Sequence, residues 1–218
     1  MNIFYSFIGF FSSGGMFMLP IVVVFAVGAA IAVERYITLT RVTKTNQAAW
    51  ERIQPLLSKG DFDKAREATR GEDSTVAQLL STGLSLQGAV RRREDVEIAM
   101  EEHMMEIIPR LEKRTPYVAL ASSIATLLGL LGTIMGLIQA FTAVANANPA
   151  EKADLLSASI SVAMNTTAFG LMVAIPLLIV HAILTSKTGD IVDSLEMASV
   201  KALNAITKRA KRQFELAA

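Results

Sequence analysis

Met164–Pro176, "MNTTAFGLMVAIP", lies in an apolar run with no charged residue from Leu155 to Ser186. It opens on three neutral hydrogen-bonding side chains, Asn165, Thr166 and Thr167, and closes on a proline. A spanning helix needs about 20 mostly apolar residues, so the run is long enough to cross a bilayer. Residues 1–33 and 115–150 also carry no Lys, Arg, Asp or Glu. The pattern predicts an all-α membrane protein with three transmembrane helices, at 16–38, 115–142 and 158–185. The second run exceeds what the bilayer needs, so its helix is expected to project beyond it.

The composition agrees. Of 218 residues, 52% are hydrophobic, and the mean hydropathy is +0.42. Both are too high for an ordinary soluble domain. A net charge of +1 implies no nucleic-acid or acidic partner. There is no cysteine, hence no disulfide framework or thiolate chemistry, and two histidines exclude a His-rich metal site. No phosphate-binding loop and no G-x-S-x-G serine is present, so neither ATP nor hydrolytic chemistry is indicated. No cofactor is expected, and the chain does not read as an enzyme.

Charge sets the expected orientation. No Lys or Arg precedes Arg35, so the first run lacks the basic start of a cleaved signal peptide and reads as an uncleaved anchor. Residues 39–114 hold 13 Lys/Arg and 186–218 hold 6, whereas 143–157 hold only Lys152. The positive-inside rule then predicts an outside N-terminus and an inside C-terminus. Residues 39–114 become a cytoplasmic helical domain, 143–157 a periplasmic loop and 186–218 a cytoplasmic C-terminal helix. Residues 1–15, rich in Phe, suit a periplasmic interfacial helix among membrane lipids.

The 39–114 segment reads as helices. Trp50, Ile53 and Leu57 share a face before a stop at Gly60. A short helix fits Asp61–Gly71, and Ser74 is a candidate N-cap for the next. Val96, Met100, Met104, Ile107 and Leu111 form a stripe on a helix expected to run towards the second span, with bends at Pro109 and Pro116. In the tail, Ile191, Leu195, Ala198, Ala202 and Ile206 form another.

Within the spans the informative residues are small or hydroxylic. Ser122, Thr126, Gly129, Thr133, Gly136 and Ala140 recur at helical spacing, and Ala163, Thr167, Gly170 and Ala174 make a similar face. The glycines, with the Gly132/Gly136 pair, suit close helix packing. The hydroxyls and Asn165 fit a wetted lumen or polar partner better. Thr166 is expected to turn about 100° away from Thr167. Pro176 frees a carbonyl one turn earlier, which fits either a simple kink or a shaped pore wall.

"LLGLLGTIMGLIQAF" at 127–141 and "AMNTTAFGLMVAIP" at 163–176 resemble the paired motifs of the MotA/TolQ/ExbB proton channel family. "KGDFDKAREATRG" resembles the short helix that follows its first span. Three spans fit the ExbB and TolQ branches better than the four-span MotA branch. The resemblance implies a homopentameric ring around an ExbD- or TolR-like single-span partner that supplies an intramembrane Asp. Proton flow would then drive a TonB- or TolA-like transducer at the bacterial inner membrane.

By the same resemblance, Thr133 and Thr167 match the family's span threonines; from their place on or beside the same polar faces, Thr126, Ser122, Asn165 and Thr166 are expected to line the proton pathway with them. Gly129, Gly132, Gly136, Gly170, Ala174 and Pro176 would serve subunit packing. In one departure, Val162 stands where several relatives carry Glu. Glu34, with Arg35, sits at the cytoplasmic edge of the first span, and no acid lies deeper in any span; His181 is the only titratable group in the third span, a candidate cytoplasmic exit. The expected function is an ExbB-like motor subunit serving TonB-dependent transport. The alternatives are a TolQ-like subunit for envelope maintenance and a non-conducting scaffold.

Overall fold

The computed structural model describes residues 16–87, 92–145 and 147–217, with side chains to Lys208. The expected interfacial helix at 1–15 lies outside them. The described chain is all-α: α1 Met18–Lys59, α2 Phe62–Thr69, α3 Thr75–Leu86, α4 Arg93–Glu112, α5 Thr115–Ala145 and α6 Lys152–Ala217. Three stretches are long and apolar enough to cross a membrane, within Met18–Lys59, Arg93–Ala145 and Lys152–Lys208.

The chain divides into two compact units. The first contains the chain up to Arg35 together with Arg114–Ile183. Its core is made where small residues let helices close. Gly28 of α1 is one such point: a methyl there would stand 2.9 Å from Ala121 Cβ and 3.2 Å from a Leu177 methyl. Met18, Ile21, Val118, Ala125, Phe169 and Leu177 are also buried in this unit. Many large apolar side chains of this unit are exposed, among them Leu127, Ile138, Met164 and Ile175. Such a surface suits lipid or further subunits rather than water.

The second unit contains Tyr36–Lys113 and the chain from Leu184 on. Gly60, at a φ of +79°, ends α1 in a backbone conformation that costs glycine little. Ser74 caps α3 as expected, its hydroxyl accepting from Ala77 N at 3.2 Å. A second cap comes from far away in sequence: buried Asn46 of α1 accepts from Val76 N at 3.3 Å and bonds the Thr75 hydroxyl at 2.7 Å. At the other end of α3, Arg66 of α2 donates to Leu84 O at 2.5 Å. Helix α3 packs on α4, where Gly83 makes room for the Met100 thioether. Of the α4 stripe, Val96, Met100, Ile107 and Leu111 are buried and Met104 half-buried. The tail stripe from Ile191 to Ala202 is buried and Ile206 half-buried.

The helix boundaries differ from the sequence reading in three places. First, α1 runs unbroken from Met18 to Lys59. The threonines in its middle turn their hydroxyls back onto carbonyls one turn earlier, Thr40 to Tyr36 O at 2.6 Å and Thr43 to Leu39 O at 2.9 Å, so they do not compete for the backbone. Second, α4 does not run on into α5. Lys113 ends it, and Arg114 has a φ of +70°. Neither proline makes that break. Pro109 lies inside α4, and Pro116 falls in the first turn of α5, where a missing N–H costs nothing. Third, α5 and α6 both extend into the expected 143–157 loop, so the connection spans only 146–151.

Candidate functional site

The polar and small residues of the two span motifs meet where α5 crosses α6. The closest approach is Gly129 against Gly170. A methyl added at Gly170 would lie 2.7 Å from Ala125 O and 3.0 Å from Gly129 Cα. Only two glycines allow the backbones so near. Gly132 is opposite Thr166, whose methyl fills the space a side chain would take. Gly136 faces Ala163, 2.7 Å from its Cβ to an added methyl.

Two hydroxyls cross this contact. Thr167 Oγ1 donates to Gly129 O at 2.8 Å, and Ser122 Oγ donates to Ala174 O at 2.7 Å. Carbonyls only accept, so in both bonds the hydroxyl must be the donor. The remaining hydroxyls bond within their own helix: Thr126 to Ser122 O at 3.1 Å, Thr133 to Leu130 O at 2.6 Å and Thr166 to Val162 O at 3.0 Å. Every hydroxyl of the seam therefore offers lone pairs, not protons, to anything that arrives.

The residues singled out from the sequence fall into two sets. Ser122, Gly129, Gly132, Thr166, Gly170 and Ala174 are buried in the α5–α6 contact. Thr126 is exposed, and Thr133, Gly136, Asn165 and Thr167 are half-exposed. Thr126 and Thr133 thus stand on the rim of the seam. Thr166 lies in the contact and does not turn away from it. Pro176 sits on the exposed side of α6, which continues through it, and His181 is half-buried. Val162 is exposed.

The sequence reading missed Ala125, whose carbonyl Gly170 abuts, and Gly28. Gly28 lies in "AVGAA", where small residues signal equally a cleavage site or a helix contact. It also missed the partner of Glu34, where Arg114 Nη1 stands 3.6 Å from Glu34 Oε2. Among the described residues no cluster of His, Cys, Asp or Glu could hold a metal.

Residues 71–197 match the MotA/TolQ/ExbB proton channel family. The chain belongs to that family. The match includes all of α5 and the part of α6 that forms the seam. A biopolymer transport ExbB homologue of Methanothermobacter thermautotrophicus is 28% identical over 199 residues, 90% of this chain and 69% of its own length. The Tol-Pal system protein TolQ of Haemophilus influenzae is 37% identical over 78 residues, 36% of this chain and 34% of its own. The biopolymer transport protein exbB1 of Vibrio cholerae is 47% identical over 53 residues, 24% of this chain and 23% of its own. A proton-channel family with three span-capable helices per chain is what the paired motifs led us to expect.

Proposed function

We propose that this chain is the ring-forming subunit of a proton-driven motor of the ExbB kind in a bacterial inner membrane. In this reading the spans are 16–38, 115–142 and 158–185, with the N-terminus outside. Residues 39–114 and 186–218 form the cytoplasmic part. Five copies surround a single-span partner whose intramembrane Asp carries the proton, and a TonB-like transducer takes up the work.

One observation carries the proposal: the seam is rich in hydroxyls whose protons are already committed to carbonyls, in a second and a third span that contain no acid. Lone pairs at Thr133, Thr126 and Thr167 suit a donor, that is, a protonated carboxyl or a water. A carboxylate anion would meet them only after a hydroxyl turned from its carbonyl. The seam thus favours the partner's acid in its neutral form, and loss of the proton weakens its hold. That difference between protonation states is what a proton-driven step requires.

Proton flux in liposomes tests it. The chain alone should conduct little. Co-reconstitution with an ExbD- or TolR-like single-span partner should give flux that Thr133→Val or Thr167→Val lowers by roughly one to two decades. Strong leakage from the chain alone, or full flux in both variants, would overturn the reading and favour a scaffold. The identity with TolQ keeps a Tol-type role in envelope maintenance as the second reading. Rescue of a tolQ-deficient envelope, without rescue of TonB-dependent uptake, would select it.

A further inference from the structure

A second polar site lies away from the seam, on α1. Tyr36, Ile37, Thr40, Arg41, Lys44 and Thr45 line an open pocket of about 380 Å³. All six come from one face of α1, opposite the face that buries Leu39, Asn46 and Ile53. Lys187 of α6 touches two of these residues. Its Nζ donates to Thr40 Oγ1 at 2.7 Å and stands 4.2 Å from the centre of the Tyr36 ring. The ring and the hydroxyl hold this long side chain in place. Two cations, Arg41 and Lys44, thus line the pocket and a third, Lys187, adjoins it through Thr40 and Tyr36, and α1 carries no acid from Tyr36 to Trp50.

The order of groups along the helix is specific. Tyr36 and Ile37 come first and are more than half exposed, at 51% and 55%. Arg41 follows Ile37 by about 6 Å and Lys44 by about 10 Å. The apolar end is the end nearer the charge-free run. A bulky apolar residue, an interfacial tyrosine and then two cations match the sequence acyl chain, glycerol, phosphate in one leaflet of a bilayer.

We infer that this pocket binds the phosphate of an anionic phospholipid, with Arg41, Lys44 and Lys187 on the phosphodiester and Ile37 and Tyr36 against the chains. Phosphate recognition by an Arg–Lys set is shared with free phosphate. The exposed Ile37 and Tyr36 favour the lipid, because a free ion has no apolar part to place against them.

Native mass spectrometry of the full-length protein, taken from nanodiscs of equal phosphatidylglycerol and phosphatidylcholine, tests it. The wild type should retain phosphatidylglycerol preferentially. Arg41→Gln with Lys44→Gln should lower that preference about 30-fold, at about fivefold per basic residue. Both residues are exposed, and circular dichroism checks that the fold is kept. Lys59→Gln with Lys64→Gln removes the same charge farther along the chain and should change it less than twofold. Equal retention in wild type and the first variant would overturn the proposal, as would equal loss in the second. Full displacement of the lipid by excess inorganic phosphate would make it a free-phosphate site instead. An Ile37→Cys variant that forms a disulfide between copies in the bilayer would show a second chain on this face, and would equally overturn it.

Discussion

Gly170→Ala is the sharpest test of the seam. One methyl would stand 2.7 Å from Ala125 O and 3.0 Å from Gly129 Cα. Both are backbone atoms of the facing helix, so no side chain can move aside. Restoring ordinary contact requires the helices to part by about 0.7 Å. Thr167 Oγ1 is 2.8 Å from Gly129 O, and the same displacement takes it to the limit of a hydrogen bond. The methyl therefore costs about 1–3 kcal/mol in overpacking and weakens a bond worth roughly 0.6 kcal/mol between membrane helices.

The internal control is Gly189→Ala, also in α6, where an added methyl meets nothing within 4 Å. Helix propensity alone should make that change neutral or stabilising by up to about 1 kcal/mol. Unfolding in mixed detergent micelles, followed by far-UV circular dichroism, should rank the variants Gly170→Ala below wild type and Gly189→Ala at or above it. Gly129→Ala, whose methyl would meet Gly170 Cα at 3.2 Å, should fall between. Equal stability of Gly170→Ala and Gly189→Ala would refute the close crossing.

Ser122→Ala should lower stability by roughly 0.6 kcal/mol in the same assay, since it removes the bond to Ala174 O. Asn46→Ala, which uncaps α3 from α1, should cost about 1–3 kcal/mol; amide hydrogen exchange at Val76 checks it. Arg114→Gly should be more stable than Arg114→Ala by about 1 kcal/mol, because both lose the ion pair with Glu34 and only glycine is at ease at positive φ. Thr166→Val keeps the methyl packed on Gly132 and should leave unfolding nearly unchanged, whereas Thr166→Leu should destabilise by about 1–3 kcal/mol.

Much of this was legible because periodicity and charge act over whole helices. The uncharged runs located the span-capable helices, and the stripes on α4 and α6 identified buried residues from Val96 to Ala202. Helix ends were harder. The β-branched stretch Thr38–Thr45 argues weakly against helix, yet back-bonded hydroxyls and packing against the second unit's helices keep α1 intact. The α4–α5 break falls on Lys113 and Arg114, residues with no breaking tendency of their own. A left-handed arginine is not visible in a propensity. The Asn46 cap joins residues 30 apart, a distance no local pattern reaches.

The stripe on α5 shows how a correct periodicity can still be centred on the wrong residue. Counting every small or hydroxylic position places its middle near Gly129 and Thr133. The contact itself is centred on Ala125, Gly129 and Gly132, because closeness is limited by the smallest side chains and not by polarity. Thr126 and Thr133 are thereby moved to the rim. In the centre, Thr167 and Ser122 spend their protons on α5–α6 carbonyls and lock the two helices. On the rim, Thr126 and Thr133 spend theirs on their own helix and keep a face outward. The same residue type thus holds the seam shut and lines its edge, and the two roles are separable: loss of Ser122 should register in unfolding, and loss of the Thr133 hydroxyl in flux.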